Sequence, residues 1–144
     1  MDCARVTMKV FNGFVSAVLL VTSLNAKGRI TKSDGLEYEI TKEGTGQAVI
    51  SGQRVQVHYS GWLNVNGKRG KLFDSSRKKN KPFIFALGEG QVIRGWDEGV
   101  AGMKRGEKRI LYVPAMLGYG SRGAGDVIPP DSNLIFEVEL LDFE

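Results

Sequence analysis

The sequence has few of the residues that build disulfides, metal centres and hydrolytic triads. Its 144 residues include one cysteine, Cys3, and one histidine, His58. A single cysteine excludes a disulfide framework within the chain, a cysteine-rich zinc site and a CxxC redox centre. A single histidine leaves too little for metal sites with two imidazoles and makes Ser-His-Asp hydrolysis a poor explanation. We interpret His58 as a polar residue of a strand, and we expect no metal and no cofactor.

Charge of one sign is also not strongly dominant. The chain has 20 basic and 16 acidic residues, a formal charge of +4. Such a mild excess does not require a nucleic-acid partner, and we expect none. The basic runs lie at predicted turns and strand ends, where solvated charge is the usual role; they are Lys68–Lys71, Arg77–Lys79, Lys104–Arg105 and Lys108–Arg109.

The chain has no apolar run long enough to span a membrane, but it has a short one near its start. Phe14–Leu24 is 11 residues of mostly apolar character, preceded by Arg5 and Lys9 and followed by Asn25-Ala26. This layout is typical of a signal peptide, here residues 1–26, and it predicts export to the periplasm, the outside or a secretory lumen. A spanning helix needs roughly 20 residues, so we expect no stable membrane span. Two alternatives stay open: the run packs on the domain in a cytoplasmic protein, or translation begins at Met8.

Alternation of apolar and polar residues dominates after a polar lead-in, residues 27–35, which we predict to be flexible. The alternating runs predict half-buried antiparallel strands; they begin near Leu36, Val55, Phe83, Leu111 and Leu134. Between them, the spacing of the apolar residues predicts one amphipathic helix over 92–103. Its glycines, each unfavourable by roughly 1 kcal/mol relative to alanine, suggest close approach to a sheet. The sequence therefore predicts an α+β fold.

A GxGxxG match at Gly118–Gly123 does not indicate a dinucleotide site. The fingerprint needs a helix directly after it, within a βαβ unit. Here Pro129 and Pro130 follow and oppose a helix, so the glycines are interpreted as shaping a loop. The aromatic residues are more informative, because seven of them could converge on the helix side of the sheet; they are Tyr59, Phe73, Phe83, Phe85, Trp96, Tyr119 and Phe136. From composition alone, a plain aromatic core is the better explanation of these residues, because bulky side chains bury easily.

Several short segments resemble, in sequence and in order along the chain, those of the FKBP-type peptidyl-prolyl isomerases. These are the immunophilins that bind tacrolimus and rapamycin. The resemblance runs from about Leu36 to Glu144, which we take as the domain. It rests on VHYSG at 57–61, FDSS at 73–76, NKPF at 80–83, LG at 87–88, QVIRGWDEGV at 91–100, YG at 119–120, IPP at 128–130 and FEVEL at 136–140. The resemblance implies a five- to six-stranded antiparallel sheet wrapped around one short helix.

The resemblance also implies a pocket. Trp96 would form its floor and Asp74, Tyr119 and Phe136 would act with it in catalysis. The residues expected to bind substrate are Tyr59, Phe73, Phe83, Phe85, Gln91, Val92 and Ile93, with Ile93 acting through its backbone N–H and Gln91 through its backbone carbonyl. Lys79 departs from an arginine common in the family, and it cannot make a bidentate contact with Asp74. The hairpin at Trp62–Leu72 is longer than in the smallest members.

The function implied is acceleration of X-Pro bond rotation in folding proteins, without a covalent intermediate. The expected partners are proline-containing polypeptide segments and macrolides of the tacrolimus type, and we expect a monomer. The alternative is a chaperone module that binds proline-bearing chains in the same groove, with incidental turnover.

Overall fold

A computed structural model describes residues 28–144 of the chain. The predicted signal peptide, residues 1–26, lies outside the described residues, and so does the alternative start at Met8. Within the described residues, no helix has both the length and the apolar character needed to cross a membrane.

The regular structure of residues 28–144 consists mainly of antiparallel strands. Their bounds are β1 Ile30–Thr31, β2 Glu37–Lys42, β3 Thr45–Ala48, β4 Arg54–Val65, β5 Lys68–Ser75, β6 Phe83–Ala86, β7 Lys104–Arg105, β8 Lys108–Val113 and β9 Leu134–Phe143. One α-helix, α1, spans Arg94–Gly99, and a 3-10 helix spans Ala115–Leu117. The α+β class and the antiparallel sheet with one short helix are confirmed.

The main sheet has seven strands in the order β1-β2-β8-β9-β4-β5, with β6 pairing β4 off this path. The remaining strands, β3 and β7, pair with each other. The central pair is β9 and β4, in which Phe136 lies opposite Gly61 and Val138 opposite Tyr59. Alternate residues of β9 are buried from Phe136 to Leu140, as the period of two predicts. The same face of the sheet carries the core and receives α1.

Two parts of the sheet were not predicted. Residues 27–35 were expected to be a flexible lead-in, yet Ile30 and Thr31 pair with Tyr38 and Glu37. The hairpin expected at Trp62–Leu72 is present, but the alternating runs did not include its second strand, β5, which spans Lys68–Ser75 at the edge of the sheet. Neither strand shows apolar alternation, because both side chains of β1 are exposed and β5 buries only its last residue, Ser75. They bring the sheet to seven strands, above the expected five or six.

The helix is shorter than predicted, and two of the three glycines predicted in it, Gly95 and Gly99, have the predicted role. It covers Arg94–Gly99 instead of 92–103. A Cβ atom on Gly95 would lie 2.6 Å from Val113, and one on Gly99 would lie 2.8 Å from Leu111. Both clashes are with β8, so only glycine lets the helix lie this close to the sheet. Gly102 lies beyond the helix in a turn with φ of +86°, a conformation that ends the helical pattern.

Arg109 is a correction to the charge prediction. It belongs to a basic run expected to be solvated, but it is 5% exposed. It lies on β8 two residues before Leu111, so the period of two places both side chains on the inner face.

Candidate functional site

Aromatic side chains from five elements and one loop converge on one cavity at the helix side of the sheet. The cavity has a volume of about 160 Å³. Ten of the eleven predicted site residues line it: Tyr59, Phe73, Asp74, Phe83, Gln91, Val92, Ile93, Trp96, Tyr119 and Phe136. The sequence prediction therefore placed together residues that are up to 77 positions apart, from Tyr59 to Phe136. Their individual roles remain a prediction.

Trp96 forms the floor of this cavity. It lies on α1, which the glycines hold against β8, and it is 4% exposed. Its ring meets those of Tyr59 and Phe136 edge to face, with centroids 4.8 and 5.3 Å apart. These separations and near-perpendicular planes are favourable for aromatic pairs. Among the described residues, no group accepts a hydrogen bond from its indole Nε1–H. The floor is therefore a large apolar surface fixed by its neighbours.

The sheet supplies the walls. Phe136, on β9, packs edge to face against Phe73 on β5, with ring centroids 5.6 Å apart. Gly61 lies between these strands, and a Cβ atom there would come within 2.7 Å of both rings. A glycine is therefore required for Phe136 and Phe73 to meet. Phe83, from β6, closes the other side and is 39% exposed, so this wall reaches the cavity mouth.

Asp74 is a carboxylate at the rim of the cavity, held by the Ser75 N–H at 2.9 Å and by two side-chain donors. The Tyr59 hydroxyl donates a short hydrogen bond to Asp74 Oδ2, and Lys79 Nζ lies 2.9 Å from Oδ1. Lys79 thus pairs with the carboxylate through one contact. Partial burial opposes ionisation of Asp74, but the Tyr59 hydrogen bond and the Lys79 charge outweigh it and lower its pKa. Asp74 is therefore a carboxylate at neutral pH.

Both tyrosines of the site keep their protons. Burial, together with the hydrogen bond to Asp74, raises the pKa of Tyr59. Burial and the negative charge of Asp74 also raise the pKa of Tyr119. The residue is 40% exposed at the cavity mouth. The backbone carbonyl of Tyr119 accepts a hydrogen bond from Gly123 N–H at 3.1 Å, which holds this part of the loop. Tyr119 therefore offers a protonated hydroxyl toward the opening.

The backbone before α1 supplies a donor at the cavity wall. Ile93 is the N-cap residue, and its carbonyl accepts hydrogen bonds from Trp96 and Asp97 N–H at 2.9 and 3.3 Å. N–H groups at the start of a helix have no carbonyl one turn earlier to bond. Within residues 28–144, no group accepts a hydrogen bond from the Ile93 N–H. The donor is thus available to a bound molecule.

Phe85 is the predicted site residue that the structure places elsewhere. It is 3% exposed and lies behind the cavity wall, stacked on Phe83 with ring centroids 5.7 Å apart. It also contacts Trp96 at 5.7 Å. Phe83 and Phe85 share a face of β6, as expected, but Phe85 lies deeper under the sheet and Phe83 near its edge. Phe85 therefore supports the floor and one wall without lining the cavity.

Gln91 and Asp97 hold the loop that precedes the helix. Only the backbone of Gln91 was expected to matter, yet its side-chain Oε1 accepts a hydrogen bond from Ala86 N–H at 2.9 Å. Asp97 was not predicted; its carboxylate accepts bonds from Gly88 and Gly90 N–H at 2.8 and 3.1 Å. A polar residue within a short helix next to a glycine-rich loop was the available signal. These contacts fix the loop against β6 and α1.

A buried ion pair, also missed, holds the other end of the helix. Arg109 Nε lies 2.5 Å from Glu107 Oε2, and both side chains are almost fully buried. Arg109 Nη1 donates to the carbonyls of Gly99 and Ala101 at 3.1 Å. Carbonyls at a helix C-terminus lack intrahelical donors, so the guanidinium satisfies groups that would otherwise be orphaned.

Metal-binding groups are not assembled in this part of the protein. Over residues 28–144, no three or more His, Cys, Asp or Glu side chains lie close enough together to hold a metal ion. His58 lies on β4, half-buried, with Nδ1 2.8 Å from Ser76 Oγ. The site offers apolar surface, a carboxylate, hydroxyls and a backbone donor.

Known proteins are similar to this chain in both sequence and fold. Residues 46–141 match the family model described as FKBP-type peptidyl-prolyl cis-trans isomerase. The chain is 53% identical over 116 residues to FK506-binding protein 2 of Candida glabrata, covering 78% of this chain and 83% of the relative. It is 54% identical over 110 residues to FK506-binding protein 1 of Dictyostelium discoideum, covering 76% and 99%. The crystal structure of FkpA from Escherichia coli is similar at 42% identity and a TM-score of 0.73, covering 82% of this chain. The chain spans about half the length of FkpA, 52%.

Proposed function

Because this chain belongs to the FKBP-type peptidyl-prolyl cis-trans isomerases, we propose that the aromatic cavity is the isomerase site and that it acts by stabilising a twisted X-Pro amide. The observation that carries this proposal is the convergence of Tyr59, Phe83, Trp96 and Phe136 around one small cavity. The substrates are proline-containing segments of polypeptide chains.

The chemistry needs no nucleophile. Rotation of an amide breaks its resonance, at a barrier of about 18–20 kcal/mol, and X-Pro bonds therefore exchange over tens to hundreds of seconds. In the twisted state the carbonyl becomes less polar and the nitrogen becomes pyramidal. Water solvates the planar, charge-separated amide better than the twisted one. An apolar site removes this advantage and lowers the barrier.

In this assignment the proline ring lies on Trp96, between the walls formed by Tyr59 and Phe136. The Ile93 N–H donates to a carbonyl of the bound peptide, and the Tyr119 hydroxyl, protonated at neutral pH, donates to another. These bonds hold the proline side of the peptide while the preceding carbonyl turns. A thousandfold acceleration requires only about 4 kcal/mol of differential stabilisation.

Asp74 has a different part in this mechanism. Its carboxylate accepts the Tyr59 hydroxyl hydrogen bond and thereby fixes the wall ring, and it keeps a negative charge at the rim. We expect Asp74→Ala to lower turnover more than ligand binding.

The test is X-Pro exchange in a short proline peptide, followed by NMR or a protease-coupled assay. Phe136→Leu and Trp96→Leu are expected to lower both kcat/KM and macrolide affinity at least tenfold. The control is Val65→Ala, at a residue 54% exposed in the hairpin away from the cavity, which should leave both unchanged. Unchanged turnover after both cavity substitutions, in folded variants, would contradict the site assignment.

Macrolide binding belongs to the same proposal. The two relatives above are named for binding FK506, and this cavity offers an apolar floor with the backbone donor of Ile93. We therefore expect tacrolimus to compete with the peptide for one site, with the protein acting as a monomer.

A second function is capture of proline-bearing chains, with turnover incidental. It is favoured by exposed apolar side chains in the segment 116–127, which carries Tyr119. Met116, Val127 and Tyr119 are 78%, 45% and 40% exposed. Suppression of aggregation of an unfolded protein that survives Phe136→Leu would support it, and suppression lost in parallel with turnover would favour the isomerase.

We also propose that the protein is exported, on the basis of the basic residues, apolar run and Ala26 at the N-terminus. Intact mass of the protein recovered from its native source tests this. A mass that begins at Lys27 supports cleavage, whereas the full-length mass contradicts it.

A further inference from the structure

A second groove adjoins the aromatic cavity. It is lined by Tyr59, Ser76, Lys79, Lys81, Pro82 and Phe83 and has a volume of about 320 Å³. Tyr59 and Phe83 line both spaces, so a chain leaving the cavity past these rings enters the groove. The two spaces differ in chemistry, because the cavity is walled by aromatic rings and the groove carries two lysines.

The groove has an excess of positive charge. The segment 77–81 contains four basic residues in five positions. Two of them are paired: Arg77 with Glu139, and Lys79 with Asp74. Lys81 makes no ion pair with any residue from 28 to 144. The groove therefore presents an ammonium group whose charge the described chain does not balance.

The backbone holds Lys81 at the groove. Ser76 N–H donates to Tyr59 O at 2.9 Å, and Lys81 N–H donates to Ser76 O at 3.1 Å. Pro82 follows directly and limits the backbone of both residues. Lys81 is thereby tied to Tyr59 on one side and to the strand of Phe83 on the other. Only its side chain needs to order when a ligand binds.

We propose that this groove is a specificity subsite that favours substrates with an aspartate or glutamate side chain within about two residues of the proline. The proposal rests on the isomerase function proposed above. An extended chain advances about 3.3–3.6 Å per residue, so a neighbour of the bound proline reaches the adjoining groove after one or two residues. Opposite charge there is attracted by Lys81, and a basic side chain is repelled.

The preference should be modest, because Lys81 is exposed. Exposed ion pairs correspond to a preference of about two- to fivefold, and salt reduces them. We therefore expect kcat/KM at low salt to be higher by this factor for a Glu peptide than for its Gln counterpart. We expect kcat/KM of the Lys peptide to be lower than that of the Gln peptide. At about 1 M salt the ratios should approach one.

The test uses proline peptides with Glu, Gln or Lys placed two residues before or two residues after the proline, assayed by NMR exchange without a coupling protease. Lys81→Glu is expected to reverse the order at the position that shows the preference. The matched control is Lys78→Glu, which makes the same change of charge in the same loop at a residue that does not line the groove. It should leave the Glu to Lys ratio close to that of the unchanged protein.

Each result decides between the proposals. If the Gln peptide is accelerated but Glu and Lys peptides do not differ, the subsite is wrong and the isomerase assignment stands. Equal effects of Lys78→Glu and Lys81→Glu on the Glu to Lys ratio would also overturn the subsite. The preference would then come from the overall positive charge of the loop and not from the groove. If no peptide is accelerated, both proposals fail.

Discussion

The buried ion pair between Arg109 and Glu107 gives the sharpest test of how the site is held. The perturbation is Arg109→Met, which keeps an unbranched side chain of similar length and removes the guanidinium. It leaves the Glu107 carboxylate, 3% exposed, without its partner. It also removes the donor to Gly99 O and Ala101 O. We expect a large loss of stability and a smaller loss of activity.

The magnitude follows from the burial of both partners. Removing one partner of a buried ion pair costs about 3–5 kcal/mol, because the remaining charge stays uncompensated. A domain of this size has a total stability of roughly 5–15 kcal/mol. Urea unfolding measures the loss. The matched control is Lys108→Met, one residue earlier on the same strand and on its opposite face, which should change stability by no more than about 0.5 kcal/mol.

A second variant separates the ion pair from simple packing. Arg109→Met combined with Glu107→Gln removes both charges and keeps an amide oxygen for Lys104 N–H, which donates to Glu107 Oε1 at 2.9 Å. The double variant should be more stable than Arg109→Met alone. A loss below about 1 kcal/mol for Arg109→Met, or a double variant as unstable as the sum of both single ones, would refute the reasoning.

Three further predictions concern the cavity. Gly61→Ala places a methyl group within 2.7 Å of Phe136, so thermal unfolding should show a loss of stability of about 1–3 kcal/mol from overpacking. The KM for a proline peptide should also rise, because the Phe136 ring must move. An unchanged KM would contradict the close approach. Tyr59→Phe should raise the pKa of Asp74, because the hydroxyl helps to lower it. The ionised carboxylate stabilises the fold above its unfolded pKa of about 4, and this contribution disappears as the pH falls through the lower folded pKa; acid unfolding should therefore begin at higher pH in the variant. Phe85→Leu, behind the wall, should lower stability by about 1 kcal/mol or more and leave KM within about twofold, and a KM effect as large as that of Phe136→Leu would return Phe85 to the cavity.

Sequence patterns predicted the fold where apolar residues report directly on burial. The alternation from Leu134 to Leu140 gave β9, and the glycines at 95 and 99 indicated the contact of α1 with the sheet. The strands that carry polar residues, β1 and β5, were not visible because they bury almost no side chain and so lack apolar alternation. Arg109 was misassigned for a related reason: a basic residue is usually solvated, and only its partner Glu107 makes burial possible.

The sequence predicted which residues gather at the site, but not how deeply each is buried or which hydrogen bonds it makes. Phe83 and Phe85 alternate correctly on β6, yet they are 39% and 3% exposed, since period two gives the face of a strand and not its distance from the edge. The contact of Tyr59 with Asp74 depends on the pairing of β4 with β5, where Ser60 lies opposite Ser75. No local pattern specifies that register across a hairpin with irregular pairing.

The short helix explains why these supporting contacts matter for function. Six residues form too short a helix to be stable alone, yet α1 carries the floor of the cavity, Trp96. Its stability comes from contacts with other elements. Gly95 and Gly99 let the helix pack on β8, and the Asp97 carboxylate binds the preceding loop. Arg109 donates to the carbonyl of Gly99, the last residue of the helix. A floor held at both ends does not have to order when the peptide binds, so binding free energy is left for distinguishing the twisted amide from the planar one. Residues outside the cavity therefore set how well the aromatic rings can act.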